Sequence, residues 1–347
     1  MVSTQWNRLA LIGLLTVGAL DGQPRAEKPV PASDELKVFH YRMKGKVRLL
    51  FFWVGKDDVG GGQISVGRIH RENGNTSRSV EVFFGSNPER VPGGINRWGY
   101  GKETAEWVTG ADLADPILKE TLLEGFMKYS MEKGLSEALA NEAEGKSGAQ
   151  YWYEGTRSLV RPDRAVTELR KFSTNQDFDY RHSQAIRCAY AKRLRSGPDQ
   201  NKELINTSNS YREPYGFLTA VQTVIRAAVA DYARRRRLNR ERKKLSYVYN
   251  SQLYELSIRG QKLVKKLAVP GEKGKAPDIY SLVDRIDFRV RKMSVRGHHD
   301  FTLWFPLAGE LKGVPVRILD RPRWWLGIEL NLEPTKQSEP IQKVTCE

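Results

Sequence analysis

Three short runs between residues 300 and 332 constrain this chain more than anything else in it. Phe301, Leu303 and Phe305 share one side of the first run. Val314, Val316 and Ile318 share one side of the second, with Arg317 opposite. Trp324, Leu326, Ile328, Leu330 and Leu332 share one side of the third, with Glu329 and Asn331 opposite. Successive side chains on a strand point to opposite faces, so this alternation predicts antiparallel strands laid with one face on a core.

The same period recurs in two blocks. In the first, residues 36–54 carry apolar side chains on both sides, which predicts a strand covered on both faces. Residues 55–62, with three consecutive glycines, read as a turn, and Asn73-Gly74 as a hairpin pair. Val80, Val82 and Phe84 mark the next strand, and residues 85–101 a loop rich in Gly, Pro and Asn. In the second block Leu245, Tyr247 and Tyr249 precede an Asn250-Ser251 turn, and Tyr254, Leu256 and Ile258 follow it. Residues 270–277 read as a flexible excursion. Ile286, Phe288 and Val290 then carry a strand with Asp287, Arg289 and Arg291 opposite, and a shift of register at Met293 predicts a bulge. Eight or nine strands are expected in all.

Helical spacing separates the two blocks. Asp115-Pro116 resembles an N-cap followed by a first-turn proline, and Ile117, Leu118, Leu122, Phe126 and Tyr129 follow at intervals of a helix. Ala185, Ile186, Ala189, Tyr190 and Leu194 predict a second helix. From residue 217 to about 240, Leu218, Val221, Val224, Ile225, Ala228, Val229 and Tyr232 fall on one face of a third. The expected fold is α+β: a curved antiparallel sheet or half-barrel packed on a long helix, with a helical insertion. The boundaries that follow are a signal peptide over 1–19, a linker over 20–36, N-terminal strands and Gly-rich loop over 37–110, and the helical insertion over 111–215. Residues 216–334 then hold the helix and C-terminal strands, sharing a sheet with 37–84, and 335–347 form a flexible tail.

The N-terminus predicts export. Arg8 precedes an apolar run over residues 9–20, shorter than the roughly 20 residues that span a bilayer, and Val17 and Ala19 form a small-residue exit. Cleavage is expected after Ala19, with Ala26 as the alternative. No later run reaches membrane-spanning length. Of the 347 residues, 57 are Lys or Arg and 41 are Asp or Glu, a formal charge of +16 that favours anionic partners. Outside the cytoplasm those are anionic lipid, lipopolysaccharide or acidic polymer; nucleic acid enters only if the chain is not exported. Cys188 and Cys346 fit no metal or redox spacing and leave one disulfide open.

Four candidate sites stand out. Asp57 and Asp58 precede the triple glycine, as paired carboxylates for acid–base work or as a polar hairpin tip. Asn96, Arg97, Trp98 and Tyr100 combine polar and aromatic side chains on a loop, suited to ligand contacts or to pinning the loop on the core. Arg234, Arg235, Arg236, Arg237, Arg240, Arg242, Lys243 and Lys244 form a dense cationic run, an anion patch or a solvated helix end. His298 and His299 are adjacent and, on a strand, would face opposite ways, so they do not share a metal there. The Glu144-Gly145-Lys146-Ser147 stretch lacks the first glycine of a phosphate loop, because position 140 is Ala140. No cofactor and no metal is expected.

Read together, two features resemble a known family. An early strand pair ends in Gly60-Gly61-Gly62-Gln63-Ile64. The C-terminal part runs helix, Tyr-rich hairpin, Phe288 strand, TLWF at 302–305 and GVPVRI at 313–318. That order resembles the uncharacterised exported β-sheet proteins of Gram-negative bacteria, and more remotely it is similar to the lipoprotein-carrier half-barrels of the cell envelope. The resemblance covers residues 217–332 and 38–69, finds no counterpart for 89–213, and carries no catalytic residue over. The export signal, the strand pattern, the basic surplus and the missing catalytic motifs together lead to the expectation of an exported, non-enzymatic envelope protein with a lipid-like or anionic polymeric ligand. The alternative is an exported hydrolase or sugar-active enzyme using Asp57 and Asp58.

Overall fold

The computed structural model describes residues 34–49, 52–70, 75–91, 97–108, 116–128, 151–174, 188, 202–208, 214–234, 244–271, 274–323 and 326–333. Fourteen strands lie within these residues and form one antiparallel sheet. They are β1 (Asp34–Leu49), β2 (Phe52–His70), β3 (Thr76–Ser86), β4 (Trp98–Val108), β5 (Ile117–Lys128), β6 (Tyr151–Val160), β7 (Arg164–Thr174) and β8 (Lys202–Ser208). After the helix α1 (Phe217–Ala233) come β9 (Lys244–Tyr249), β10 (Gln252–Val269), β11 (Asp278–Lys292), β12 (His299–Pro306), β13 (Arg317–Arg323) and β14 (Leu326–Leu332).

Each strand pairs with its neighbours in sequence, and one long-range pairing joins the two blocks: β1 runs antiparallel to β14, with Tyr41 opposite Leu332 and Met43 opposite Leu330. The order therefore runs from β8 back to β1, across to β14 and down to β9, leaving β8 and β9 as the two edges. The sheet curls into a nearly closed barrel with α1 against its inner face. Near the gap, Val248 of β9 packs on Leu123, Val160 and Ala165 of β5, β6 and β7. Ser251, in the next turn, hydrogen-bonds Thr167 of β7.

The alternation read at residues 301–305 sets the core. Phe301, Leu303 and Phe305 face inward and join Ile286 and Phe288 of β11 against Ala220, Val224, Ile225 and Ala228 of α1. Phe288 and Phe301 stack with centroids 4.9 Å apart. Burying each such aliphatic or aromatic side chain contributes about 1.5–3 kcal/mol. A second cluster fills the barrel beside β1, with Phe39, Tyr41, Met43, Val82, Phe84, Leu330 and Leu332. There the Tyr41 hydroxyl donates to the Pro315 carbonyl at 2.7 Å, and burial pushes its pKa well up.

Four expectations are corrected. First, the region expected as a helical insertion holds β5 to β8. The helical spacing of Leu118, Leu122 and Phe126 mixes the two faces of β5, Leu118 packing on the α1 cluster and Phe126 on Trp98 and Tyr153. The β4–β5 register shifts between Glu106 and Trp107, so inward positions run Leu118, Thr121, Leu123 instead of strictly every second residue. Second, the single strand expected over 36–54 is two strands, with Leu49 opposite Phe52 and no glycine, proline or asparagine to mark the reversal. Third, residues 55–62 are not a turn but lie within β2. A Cβ on Gly62 would stand 1.9 Å from the Phe83 carbonyl oxygen, and one on Gly60 would stand 2.1 Å from that of Gly85. These glycines admit the backbone of β3 rather than reverse the chain. Fourth, the linker ends sooner than expected, because β1 begins at Asp34.

The Asn250-Ser251 turn stands as expected, both residues having positive φ (46° and 53°). The expected signal peptide, the Asn73-Gly74 turn, the 144–147 stretch, Trp324 and Trp325, and the tail lie outside the described residues. So does the helix expected over 185–194, apart from Cys188. Cys188 is held in a disulfide, and Cys346 lies outside the described residues. No helix among the described residues is long and apolar enough to cross a membrane.

Candidate functional site

On β1 and on β11 to β14 the residues that alternate with the core point to the outer face, away from α1, and they are charged. Lys44 and Lys46 of β1 stand opposite Glu329 and Gly327 of β14. Arg317 and Leu319 of β13 stand opposite Asn331 and Glu329. Arg285, Asp287 and Arg289 of β11 stand opposite Trp304, Thr302 and Asp300 of β12.

Two adjoining grooves lie on this face. One, of about 440 Å³, is lined by Lys44, Lys46, Gly55, Leu319, Arg321 and Gly327. The other, of about 240 Å³, shares Leu319 and Arg321 and adds Arg259, Arg285 and Arg289, with Asp287, Asp300 and Thr302 among its walls. Six cations therefore face two carboxylates across the pair of grooves.

Carboxylates hold most of these cations in place. Glu329 is buried and bonds Lys46 on one side and Arg317 on the other, the latter at 2.9 Å. Burial alone would raise its carboxyl, but hydrogen bonds from Lys46 and Arg317 hold it below the ordinary glutamate value. Asp300 accepts two parallel bonds from Arg289, both 2.7 Å, which lower its pKa. Asp287 accepts from Arg285 at 2.9 and 3.1 Å and from the Thr302 hydroxyl at 2.7 Å. Arg285 and Arg317 both lie over the Trp304 ring, 5.5 and 5.2 Å from its centre. Fork-shaped pairs of this kind fix guanidinium planes and leave outward N–H groups for a further acceptor. Among the described residues Arg259 and Arg321 make no ion pair or hydrogen bond, so both guanidiniums are open at the grooves. The arrangement can take several negative charges side by side, and no nucleophile paired with a base lines it.

The residues expected from sequence are placed elsewhere. Asp57 and Asp58 sit on a bulge of β2 opposite Lys44, with Asp58 at φ 61°. They do not act together: Asp57 pairs with Lys44 at 2.7 Å and Asp58 with Arg90 at 3.0 Å. Trp98 and Tyr100 belong to β4 and are buried with Phe83, Phe126 and Tyr153, on the strand face opposite Glu103. Their aromatic rings pack on one another, and this replaces the ligand-contact reading. Arg97 pins the turn instead: Ser86 donates its backbone N–H to the Arg97 carbonyl at 2.7 Å, and the Arg97 N–H returns to the Ser86 hydroxyl at 2.8 Å. Asn96 lies outside the described residues. Of the cationic run, Arg234 ends α1 with its N–H on the Ala230 carbonyl, and Lys244 pairs with Glu255 at 2.7 Å. Arg235, Arg236, Arg237, Arg240, Arg242 and Lys243 lie outside the described residues. The two histidines diverge, His299 bonding Asp320 and His298 lying 3.8 Å from Asp300. Among the described residues no cluster of three metal-ligating side chains occurs.

The groove cations had a legible signal that a search for runs passes over. They fall at even spacings within strands, two apart in Lys44–Lys46 and four apart in Arg285–Arg289, on the side away from the apolar positions. Arg321 and Arg259 carry no such mark, because a bulge adjoins each of them.

No family model matches the chain, and no curated protein matches it in sequence. Among solved structures it is similar to a β-barrel-like protein of the domain of unknown function DUF1849 from Brucella abortus. The TM-score is 0.36 and the identity 8%, over 87% of this chain and 97% of that one.

Proposed function

We propose that this chain is an exported, non-enzymatic envelope protein that holds an anionic ligand in the two outer-face grooves. The observation that carries the reading is the pair of unpartnered guanidiniums, Arg259 and Arg321, beside four further cations in joined grooves of about 440 and 240 Å³. Phosphate or carboxylate groups in series suit that spacing, as found on lipid headgroups, lipopolysaccharide or an acidic polymer. Export is supported by the Arg8 start, the short apolar run and the Val17–Ala19 exit, and the disulfide at Cys188 suits an oxidising compartment.

Titration calorimetry with inorganic polyphosphate tests the ligand class. Wild-type protein should bind with a strong salt dependence, and Arg259→Ala with Arg321→Ala should weaken binding at least tenfold. Undiminished binding by that double variant overturns the site. N-terminal sequencing of protein recovered from the native host tests export: a mature start at Leu20 is expected, and an intact Met1 or Val2 start overturns it.

A further inference from the structure

The β10–β11 hairpin outruns the strands on either side of it. β9 pairs with β10 only as far as Ser257, and β12 pairs with β11 only from Val283 onward. Beyond the Val264–Val283 pair the two strands pair only with each other, up to Val269 opposite Asp278, and the Leu282 carbonyl accepts one outside bond, from the Leu307 N–H at 3.0 Å. At about 3.3 Å per residue this two-stranded ribbon continues for roughly 16 Å.

Four side chains pin the ribbon. Val264, Leu267, Val269 and Tyr280 pack on the core cluster that contains Tyr41 and Phe84. Beside the tip, Arg42 donates to the Gly271 carbonyl at 2.9 Å while its other nitrogens bond Glu333. The remaining surface is bare. Leu263, Ile279 and Leu282 are 48%, 58% and 37% exposed, three of the seven large apolar side chains that stand in solvent among the described residues. Lys265 shares the face of Leu263 and Leu282, and Lys262 and Lys266 share that of Ile279; all three are exposed and have no ion pair among the described residues. The acids on these strands offer the lysines little: Asp284 is buried and bonded to Gln261, and Asp278 is half-buried at the far end.

We propose that this ribbon docks the protein onto an anionic lipid surface. Exposed aliphatic side chains interleaved with unpaired lysines gain from both parts of such a surface, the acyl boundary and the negative headgroups. A second copy of the chain would set lysine against lysine, and a nucleic acid would gain nothing from Leu263, Ile279 or Leu282. Because Val264, Leu267, Val269 and Tyr280 are packed on the barrel, the ribbon needs no ordering on contact, which lowers the entropic cost of docking. The inference stands apart from the groove site, which lies on other residues.

Co-sedimentation of the full chain with vesicles at physiological salt tests it. Wild-type protein should bind vesicles of phosphatidylcholine with about 30% phosphatidylglycerol, and bind pure phosphatidylcholine at least tenfold more weakly. A Lys262→Glu, Lys265→Glu, Lys266→Glu variant and a Leu263→Ser, Ile279→Ser variant should each lose at least tenfold on the anionic vesicles. The Leu263→Ser, Ile279→Ser variant should still bind inorganic polyphosphate as wild type does, which separates this surface from the grooves. The proposal is overturned if wild-type protein does not bind the anionic vesicles, or if either ribbon variant binds them undiminished. It is also overturned if the ribbon variants change only self-association in sedimentation velocity, which would make the occupant a second copy.

Discussion

Glu103 of β4 caps α1 through Thr219, 116 positions later: its Oε2 accepts the Thr219 backbone N–H at 2.7 Å and the Thr219 hydroxyl at 2.8 Å. Its Oε1 takes the Leu218 N–H at 2.8 Å. The local cap position is Gly216, which has no side chain to offer. A residue from the sheet thus does what a serine or aspartate usually does from within the helix. Glu103→Ala should lower stability by about 1–2 kcal/mol in urea denaturation, the size of a lost N-cap. A loss near zero would show that water replaces the carboxylate.

Glu103 also makes stability depend on pH. Burial pushes its carboxyl up from 4.5 to about 7, against the opposing bonds from Leu218, Thr219 and Phe217. A group whose folded pKa exceeds its unfolded value gives stability that is complete below the unfolded pKa and lost as pH rises through the folded one. Asp284, raised by burial from 3.8 to about 6, acts in the same direction. The denaturation midpoint should therefore fall between about pH 4 and pH 7 on account of these two groups, and Glu103→Gln should flatten the upper part of that fall. An unaltered profile in the variant would remove Glu103 as its source.

Gly216 is the counterpart of that cap. A Cβ there would stand 2.4 Å from Glu103 Oε2 and 2.2 Å from Leu123 Cδ2. Gly216→Ala should destabilise by about 1–3 kcal/mol, as overpacking does. Combined with Glu103→Ala it should cost less than the sum, because removing the carboxylate relieves part of the clash. Strict additivity in the double variant would rule out that relief.

Trp304 is the mechanical centre of the outer face, under both Arg285 and Arg317 and 8% exposed. Trp304→Ala should cost about 3–5 kcal/mol. Arg259→Ala and Arg321→Ala, having no partners to lose, should leave the melting temperature within about 2 °C of wild type. A large drop in either would show a structural role that their geometry does not indicate.

The sequence made the strand-forming blocks legible wherever alternation was clean. Phe301, Leu303 and Phe305 face the core as their spacing predicts, and α1 begins at Phe217 as expected. The strands β5 to β8 were hidden by physical causes. Burial on both faces of β5 filled positions that a one-sided strand leaves polar, and the bulge beside Leu118 broke the alternation. The cap on α1 was unreadable because its acceptor, Glu103, belongs to a strand far back in the chain. Gly60 and Gly62 misled in the other direction, since glycine marks both reversals and close backbone approach. The candidate site was legible only as an alternation of Lys and Arg with apolar residues. Its two open members, Arg259 and Arg321, were not, because bulges break the count at both.

The pairing of β1 with β14 sets a timetable. A chain that emerges from its N-terminus must wait nearly 300 residues for the strand that completes the middle of its sheet. During that interval the backbone N–H and C=O groups along one side of β1 have no partner, which invites pairing with other chains. So distant a contact also slows folding. The final strand is thus less an ornament of the barrel than its keystone, and truncation just before residue 326 should yield insoluble protein instead of a smaller soluble one.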